Sequence, residues 1–107
     1  TAELDFKWTI DVSQGSDFAR FAKDVFAFAN YGGGHVFFGI KENKKGQPPE
    51  YGLPAGFHLD QAILQEKFNS YASEPIVIHY REFSRRLEGI ERQFAIVYIP
   101  ASTSGGK

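Results

Sequence analysis

The chain has 107 residues, of which 42% are hydrophobic and 16% aromatic, so it has enough apolar material for one domain with one core and is not a disordered tail. It carries 12 Lys and Arg against 13 Asp and Glu, and this net charge of −1 excludes a globally basic surface and leaves only local basic patches for binding nucleic acid. The absence of cysteine excludes disulfides, thiolate metal sites and a cysteine nucleophile.

The sequence contains no apolar run near the ~20 residues that a membrane helix needs and no N-terminal signal pattern. We therefore expect a soluble, cytoplasmic protein. The chain begins with Thr1 rather than Met, which indicates a processed form or a domain of a longer protein. We expect residues 1–102 to form the domain and residues 103–107 to form a flexible tail or linker.

The N-terminal residues alternate between apolar and polar side chains, which predicts a strand with one buried face. Asp5 and Lys7 belong to the polar face, and the face that we expect to be buried carries Leu4, Phe6, Trp8 and Ile10.

A helix is predicted next, because apolar residues recur at helical spacing from Phe18 to Ala29 and Ser16 can serve as the N-cap. It should end near Asn30, where a glycine run can cap the helix and pack closely: Gly32, Gly33 and Gly34. The alternative, a phosphate cradle, is less suited to glycines that follow a helix C-terminus, because the helix dipole disfavours an anion there.

Residues 36–40 predict a central strand, buried on both faces, and the chain then turns at charged residues 41–46. Residues 47–56, with two adjacent prolines, predict a loop with little regular structure. A second amphipathic helix is predicted from Leu59 to Tyr71 and a turn at residues 73–75. Residues 76–83 and 93–99 then predict two strands of a hairpin whose turn is residues 84–89.

The predicted order is β-α-β-(loop)-α-β-β. This order indicates an α/β (α+β) domain of two layers, with two helices on one face of a mixed, mostly antiparallel sheet of about four to five strands.

Several of these segments together resemble the Schlafen AlbA-type (AlbA_2) domain. The resemblance rests on an acidic-Phe-Lys strand at Asp5, the Ala-Phe-Ala-Asn helix end at Asn30, the glycine turn, and the strand exit Gly-Ile-Lys-Glu that ends at Glu42. It covers the first 42 residues well, and the Ile-Pro-Ala-Ser sequence at Ile99 is similar to the family's Ile-Pro-x-Ser. The family usually has Glu in place of Asp5, a further upstream Glu, and one more strand after Ile-Pro-x-Ser.

The resemblance implies a DNA-binding module of a larger, prokaryotic regulatory or ATPase-like protein. It also implies a role in transcription regulation and, more weakly, ATP binding. In vertebrate relatives, a trio of carboxylates forms a metal-dependent RNA-cleaving site. Asp5 and Glu42 are the candidates for such a catalytic site here, and they would hold Mg²⁺ or Mn²⁺.

Geometry decides whether these two carboxylates can act together. If the first two strands are parallel, Asp5 and Glu42 are separated by on the order of 15–20 Å, whereas antiparallel strands bring both to one end of the sheet. The alternative is that each carboxylate is simply solvated.

Two groups of basic residues are candidates for phosphate contacts, which give a salt-dependent and largely sequence-independent affinity. The first group is Lys7, Lys41, Lys44 and Lys45, and the second is Arg81, Arg85, Arg86 and Arg92. The alternative is that these charges only keep the turns soluble.

From these observations we expect a nucleic-acid-binding module, for DNA or RNA, that is not itself an enzyme. One alternative is a metal-dependent endoribonuclease. Another is a nucleotide-binding, protein-interaction or homodimerisation module.

Overall fold

The computed structural model describes residues 3–11, 13–71 and 76–101. The helices are α1 (Gly15–Asn30) and α2 (Gln61–Tyr71), and the strands are β1 (Glu3–Lys7), β2 (Gly34–Phe38), β3 (Ile40–Lys41), β4 (Glu50–Tyr51), β5 (His79–Leu87) and β6 (Ile90–Ile99). The turn predicted at residues 73–75 and the tail predicted at 103–107 lie outside the described residues. Within the described ranges, neither helix is long and apolar enough to cross a bilayer.

The main sheet has the strand order β1-β2-β6-β5. β1 pairs with β2 in parallel, and the other two pairings are antiparallel, which confirms the predicted mixed, mostly antiparallel sheet. β3 and β4 form a separate two-stranded sheet in which Ile40 pairs with Tyr51. The prediction of little regular structure in residues 47–56 is therefore wrong at Glu50 and Tyr51.

The core lies between one face of the main sheet and the two helices. Strand register places Val36 and Phe38 of β2 on the same face as alternate residues of β6, which are Ala95, Val97 and Ile99. These residues form one buried cluster with Phe18 and Phe21 of α1 and Phe68 of α2. The two-layer arrangement that the sequence predicts is thus confirmed.

The prediction for the two faces of β1 is wrong. Leu4, Phe6 and Trp8 are 57%, 49% and 39% exposed, although Ile10 is buried as expected. Asp5 and Lys7 instead share the face of Val36 and Phe38, over which the helices pack. Alternation identifies the residues that share a face, but the path of the rest of the chain decides which face is covered.

The glycine run joins α1 to β2. The Gly33 N–H donates to the Phe28 carbonyl at 2.7 Å, and Gly32 and Gly33 have φ angles of 99° and 85°. A Cβ atom on Gly33 would lie 2.6 Å from the Ile99 carbonyl oxygen and 2.9 Å from the Ala101 nitrogen. Glycine is required at Gly33 both for its backbone angle and for this close approach to the chain that leaves β6.

The β5–β6 hairpin turns within two residues, Glu88 and Gly89, which have φ angles of 51° and 77°. Two consecutive positive φ angles are typical of the type I′ turn that joins tightly paired strands. The longer turn predicted at residues 84–89 is therefore wrong, and β5 continues to Leu87. As a result, Arg85 and Arg86 lie within a strand and point to opposite faces of the sheet.

Helix α2 is capped by Asp60, whose Oδ1 accepts a hydrogen bond from the Ile63 N–H at 3.0 Å. Leu64 and Phe68 are its buried residues. Ile63 and Tyr71 are more than half exposed, so the buried stripe of α2 is narrower than the sequence pattern predicts.

Candidate nucleic-acid interface

β1 and β2 do not have the antiparallel arrangement that would place the candidate carboxylates Asp5 and Glu42 at one end of the sheet. β1 and β2 are parallel, and Asp5 pairs with Val36. Glu42 stands six positions after Val36, which corresponds to as much as ~20 Å of extended chain at ~3.3 Å per residue. Asp5 forms an ion pair of 3.2 Å with Lys7.

A nuclease site at these two carboxylates would also have to hold Mg²⁺ or Mn²⁺. Among the residues that the structure describes, no cluster of three or more His, Asp or Glu side chains could hold a metal ion. Asp5 and Glu42 therefore belong to no such cluster of three, and a metal held by these two carboxylates alone stays a prediction.

Lys7 lies on the helix side of the sheet, between two carboxylates. Its Nζ is 3.2 Å from Asp5 and 3.2 Å from Asp24 of α1. Burial alone would lower the pKa of Lys7, but the hydrogen bonds and charges of the two carboxylates outweigh it and raise that pKa above its usual value. Its charge is therefore already engaged within the fold.

The β3–β4 hairpin carries the other three lysines of the first basic group. Lys41 lies in β3 opposite Glu50, with its Nζ 4.7 Å from the centroid of the Trp8 ring. Lys44 and Lys45 are exposed at the tip of the hairpin. The Gln47 N–H donates a hydrogen bond of 2.9 Å to the Lys44 carbonyl and closes this turn. The tip therefore presents two unshielded charges on a defined turn.

Arg92 connects this hairpin to the main sheet. Its Nη1 donates to the Tyr51 carbonyl at 2.9 Å, and the Leu53 N–H donates to the Gln93 carbonyl at 2.8 Å. Arg85 is the cross-strand partner of Arg92 on β5. The hairpin that carries Lys41 is thus bonded to β6 at Arg92, next to Arg85. We call this end of the sheet the basic end.

The other two arginines of the second group differ in orientation. Arg81 alternates with Phe83 and Arg85 onto the face of the main sheet that the helices do not cover, which we call the open face. Arg86 alternates onto the opposite side, opposite Glu91, and its Nη1 donates to the Gly89 carbonyl at 3.3 Å. Of these two, only Arg81 adds its charge to the open face.

A polar cluster on the helix side is a feature that the sequence does not reveal. Glu82 accepts hydrogen bonds of 2.6 Å from the Tyr80 hydroxyl and 2.6 Å from His58 Nδ1. The Tyr80 hydroxyl bond, followed by the His58 contact, lowers the pKa of Glu82, and burial together with Glu82 raises the pKa of Tyr80. The cluster ties the segment before α2 to β5, since the Leu59 N–H also donates to the Tyr80 hydroxyl at 3.3 Å.

The open face is the second feature that sequence reasoning missed. It is rich in aromatic rings, among which Phe6 and Tyr98 are 49% and 41% exposed. The alternate positions Phe94, Ile96 and Tyr98 already indicate an apolar face of this strand. Alternation alone does not tell which side of the sheet the helices cover.

The chain was compared with protein families, curated proteins and solved structures. The family model described as Schlafen, AlbA_2 matches residues 1–106. Among solved structures, the chain is similar to the solution NMR structure of the N-terminal domain of a RecG-related protein from Nitrosomonas europaea, with 21% identity and a TM-score of 0.48. The similarity covers 97% of this chain and 66% of that one, so the chain spans about two thirds of the neighbour's length. No curated protein matches the chain.

Proposed function

Since the chain belongs to the Schlafen AlbA_2 family, we propose that it is a nucleic-acid-binding module of a larger regulatory protein and that its contacts to phosphates lie at the basic end of the sheet. The proposal takes its general direction from the family resemblance of the sequence motifs. The position of the interface is inferred from the side chains.

The observation that carries the proposal is the hydrogen bond between Arg92 and the Tyr51 carbonyl. It holds the lysine-bearing β3–β4 hairpin against the strand pair that carries Arg85 and Arg92. Cations that lie far apart in sequence thereby belong to one end of the sheet, where a phosphate backbone could contact several of them at once.

The ion pairs of the described residues also favour phosphate contacts at the basic end. Lys7 is paired with carboxylates, but Lys41, Lys44 and Lys45 have no ion pair within the described chain. Glu42 and Glu50 are nearby in sequence, so the interface is mixed in charge, and we expect moderate affinity with little sequence preference.

The test is a titration of labelled duplex and single-stranded oligonucleotides of mixed sequence at about 50 mM and about 200 mM salt. We expect affinity to fall steeply with salt. Replacing both Lys44 and Lys45 with Gln should make the salt slope shallower by roughly one unit for each phosphate contact removed. Absence of binding to every oligonucleotide at the lower salt concentration would overturn the proposal.

A matched control is the double variant Arg20→Gln and Lys23→Gln, which removes two exposed cations from α1 on the helix side of the molecule. We expect this variant to bind as the parent does. An equal loss in both variants would show that net charge, rather than the basic end, determines the affinity.

A further inference from the structure

We propose that the open face of the sheet is a stacking platform for single-stranded nucleic acid, whose unpaired bases lie on the aromatic rings while the phosphates reach the arginines. This inference rests on the proposed function and specifies its substrate. It concerns a different surface from the hairpin tip, and the experiment below separates the two.

The first support is the arrangement of rings on this face. At one end, Tyr98 of β6 lies between two histidines, with ring centroids 4.9 Å from His35 on β2 and 5.9 Å from His79 on β5. The three rings form a row across neighbouring strands, and the planes of Tyr98 and His79 differ by only 21°. Since Tyr98 and His79 are exposed, this row offers flat aromatic surface to a ligand.

A second row of rings continues towards the basic end. Phe37 lies 5.8 Å from Phe6 and 5.4 Å from Phe94, and Phe94 stacks on Phe83 at 5.7 Å. Phe94 is buried beneath its neighbours and supports the row, whereas about half of Phe6 is exposed. Aromatic side chains on an uncovered sheet are the means by which several single-strand-binding domains stack bases.

The second support is the distribution of charge between the two faces. The positions that alternate onto the open face are the even-numbered residues of β1 and β6 and the odd-numbered residues of β2 and β5. In these four described strands, no Asp or Glu stands at any such position, whereas Arg81, Arg85 and Arg92 do. Asp5, Glu82 and Glu91 all alternate onto the other side. A protein with a net charge of −1 therefore has one sheet face whose charged residues are all cationic.

The third support is a depression on this face that combines both chemistries. Its volume is about 270 Å³, and it is lined by Arg81, Phe83, Arg85 and Ile96. The Arg85 guanidinium lies 5.6 Å from the centroid of the Phe83 ring. Two guanidinium groups beside an aromatic floor suit a base with its adjoining phosphate, since Arg can pair with phosphate and also stack on a ring.

The same arginines argue against a second copy of the chain as the partner that covers the open face. A symmetric dimer through the open face would bring the arginines of one copy near those of the other, with no carboxylate at the described strand positions of that face to compensate. A polyanion with flat, apolar bases complements both the charge and the rings.

The experiment compares a labelled oligothymidylate with a duplex of equal length for the parent chain and for Tyr98→Leu. We expect the parent to bind the single strand more tightly than the duplex. Tyr98→Leu should weaken binding of the single strand roughly 5- to 100-fold, as expected for loss of one base-stacking ring, and should leave duplex binding unchanged. Tyr98→Phe, which keeps the ring, should retain the affinity of the parent.

Two controls make the result specific. Tyr31→Leu removes an aromatic ring that is 77% exposed at the end of α1, outside the strands of the sheet, and should have no effect. Unfolding of each variant in urea verifies that the fold is kept. If Tyr98→Leu is poorly folded, Phe6→Leu tests the loss of a second ring of the platform.

The outcomes separate the two proposals. Equal affinity for single strand and duplex, or full single-strand binding by both Tyr98→Leu and Phe6→Leu, would overturn the platform and leave the basic end as the interface. Failure of the parent to bind any oligonucleotide would overturn the proposed function and, with it, this inference. Self-association in sedimentation that Tyr98→Leu abolishes would identify a second copy as the occupant and would also overturn the platform.

Discussion

The Nζ atom of Lys41 lies 4.7 Å above the centroid of the Trp8 ring, so a lysine of the β3–β4 hairpin contacts the residue that follows β1. Gly39 makes this contact possible, because its N–H donates to the Lys7 and Trp8 carbonyls at 3.0 and 3.1 Å while its φ of 121° redirects the chain into β3. A cation over an exposed indole contributes about 0.5–1 kcal/mol. The hairpin is thereby attached at Trp8 on one side and at Arg92 on the other.

The first prediction distinguishes lysines that are free to bind phosphate from one that is not. Lys41→Gln should weaken binding of nucleic acid and reduce its salt dependence, because Lys41 has no carboxylate partner in the described chain. Lys7→Gln should lower the free energy of unfolding more than it lowers affinity, since Lys7 pairs with Asp5 and Asp24. Affinity titrations and urea unfolding of both variants measure the two effects. A larger loss of affinity in Lys7→Gln would contradict the separation.

The second prediction concerns the joint between α1 and β2. Gly33→Ala should destabilise the domain by more than the ~1–3 kcal/mol of a strained backbone alone, because its Cβ would meet the Ile99 carbonyl oxygen at 2.6 Å. Gly46→Ala is the matched control, since Gly46 has a φ of 88° but nothing within 4 Å of an added Cβ. The difference between their unfolding free energies in urea isolates the close contact. Equal losses would show that only the backbone angle matters at Gly33.

The elements of this fold follow from local patterns in the sequence, which predict both helices, the strands of the main sheet, the joint after Asn30 and the two-layer architecture. The pairing between β1 and β2 does not follow, because nothing in Asp5-Phe6-Lys7 indicates whether its neighbour runs parallel or antiparallel. The direction of this pairing decides whether β1 and β2 could place Asp5 and Glu42 at one end of the sheet.

The orientation of the basic residues likewise could not be predicted from the sequence. Their types and turns are visible in the sequence, but the tight turn at Glu88 and Gly89 shifts Arg85 and Arg86 from a loop into β5, where alternation sends them to opposite faces. The link between Arg92 and the Tyr51 carbonyl joins segments 41 positions apart. Such contacts depend on the tertiary path of the chain and leave no local signal.

The third prediction concerns acid stability. The pKa of Glu82 is lowered in the folded state by the Tyr80 hydroxyl and then by His58, so Glu82 stabilises the fold above its unfolded pKa of 4.5. This stabilisation is lost as the pH falls through the lower folded pKa. Glu82→Gln should therefore show a shallower decline of unfolding free energy below about pH 4.5 than the parent. We expect an effect of no more than about 1 kcal/mol, since the carboxylate is partly exposed to solvent.

Urea midpoints between neutral pH and about pH 3 measure this effect. The control is Glu66→Gln, because Glu66 is exposed on α2 and has no ion pair or side-chain hydrogen bond in the described part of the chain. It should follow the parent curve. A Glu82→Gln curve that is parallel to the parent's would refute the role of the cluster.

The fourth prediction tests the narrow buried stripe of α2. Phe68 is fully buried and contacts three rings of α1, with centroids 5.1 Å from Phe18, 5.5 Å from Phe21 and 6.0 Å from Phe26. Phe68→Ala should lower the unfolding free energy by about 3–5 kcal/mol, because it removes a ring and leaves a cavity between the helices. Ile63→Ala, on the same helix, should cost less than about 1 kcal/mol, since Ile63 is 53% exposed. Both are measured by urea unfolding, and comparable losses would mean that α2 packs through the wider stripe that its sequence pattern predicts.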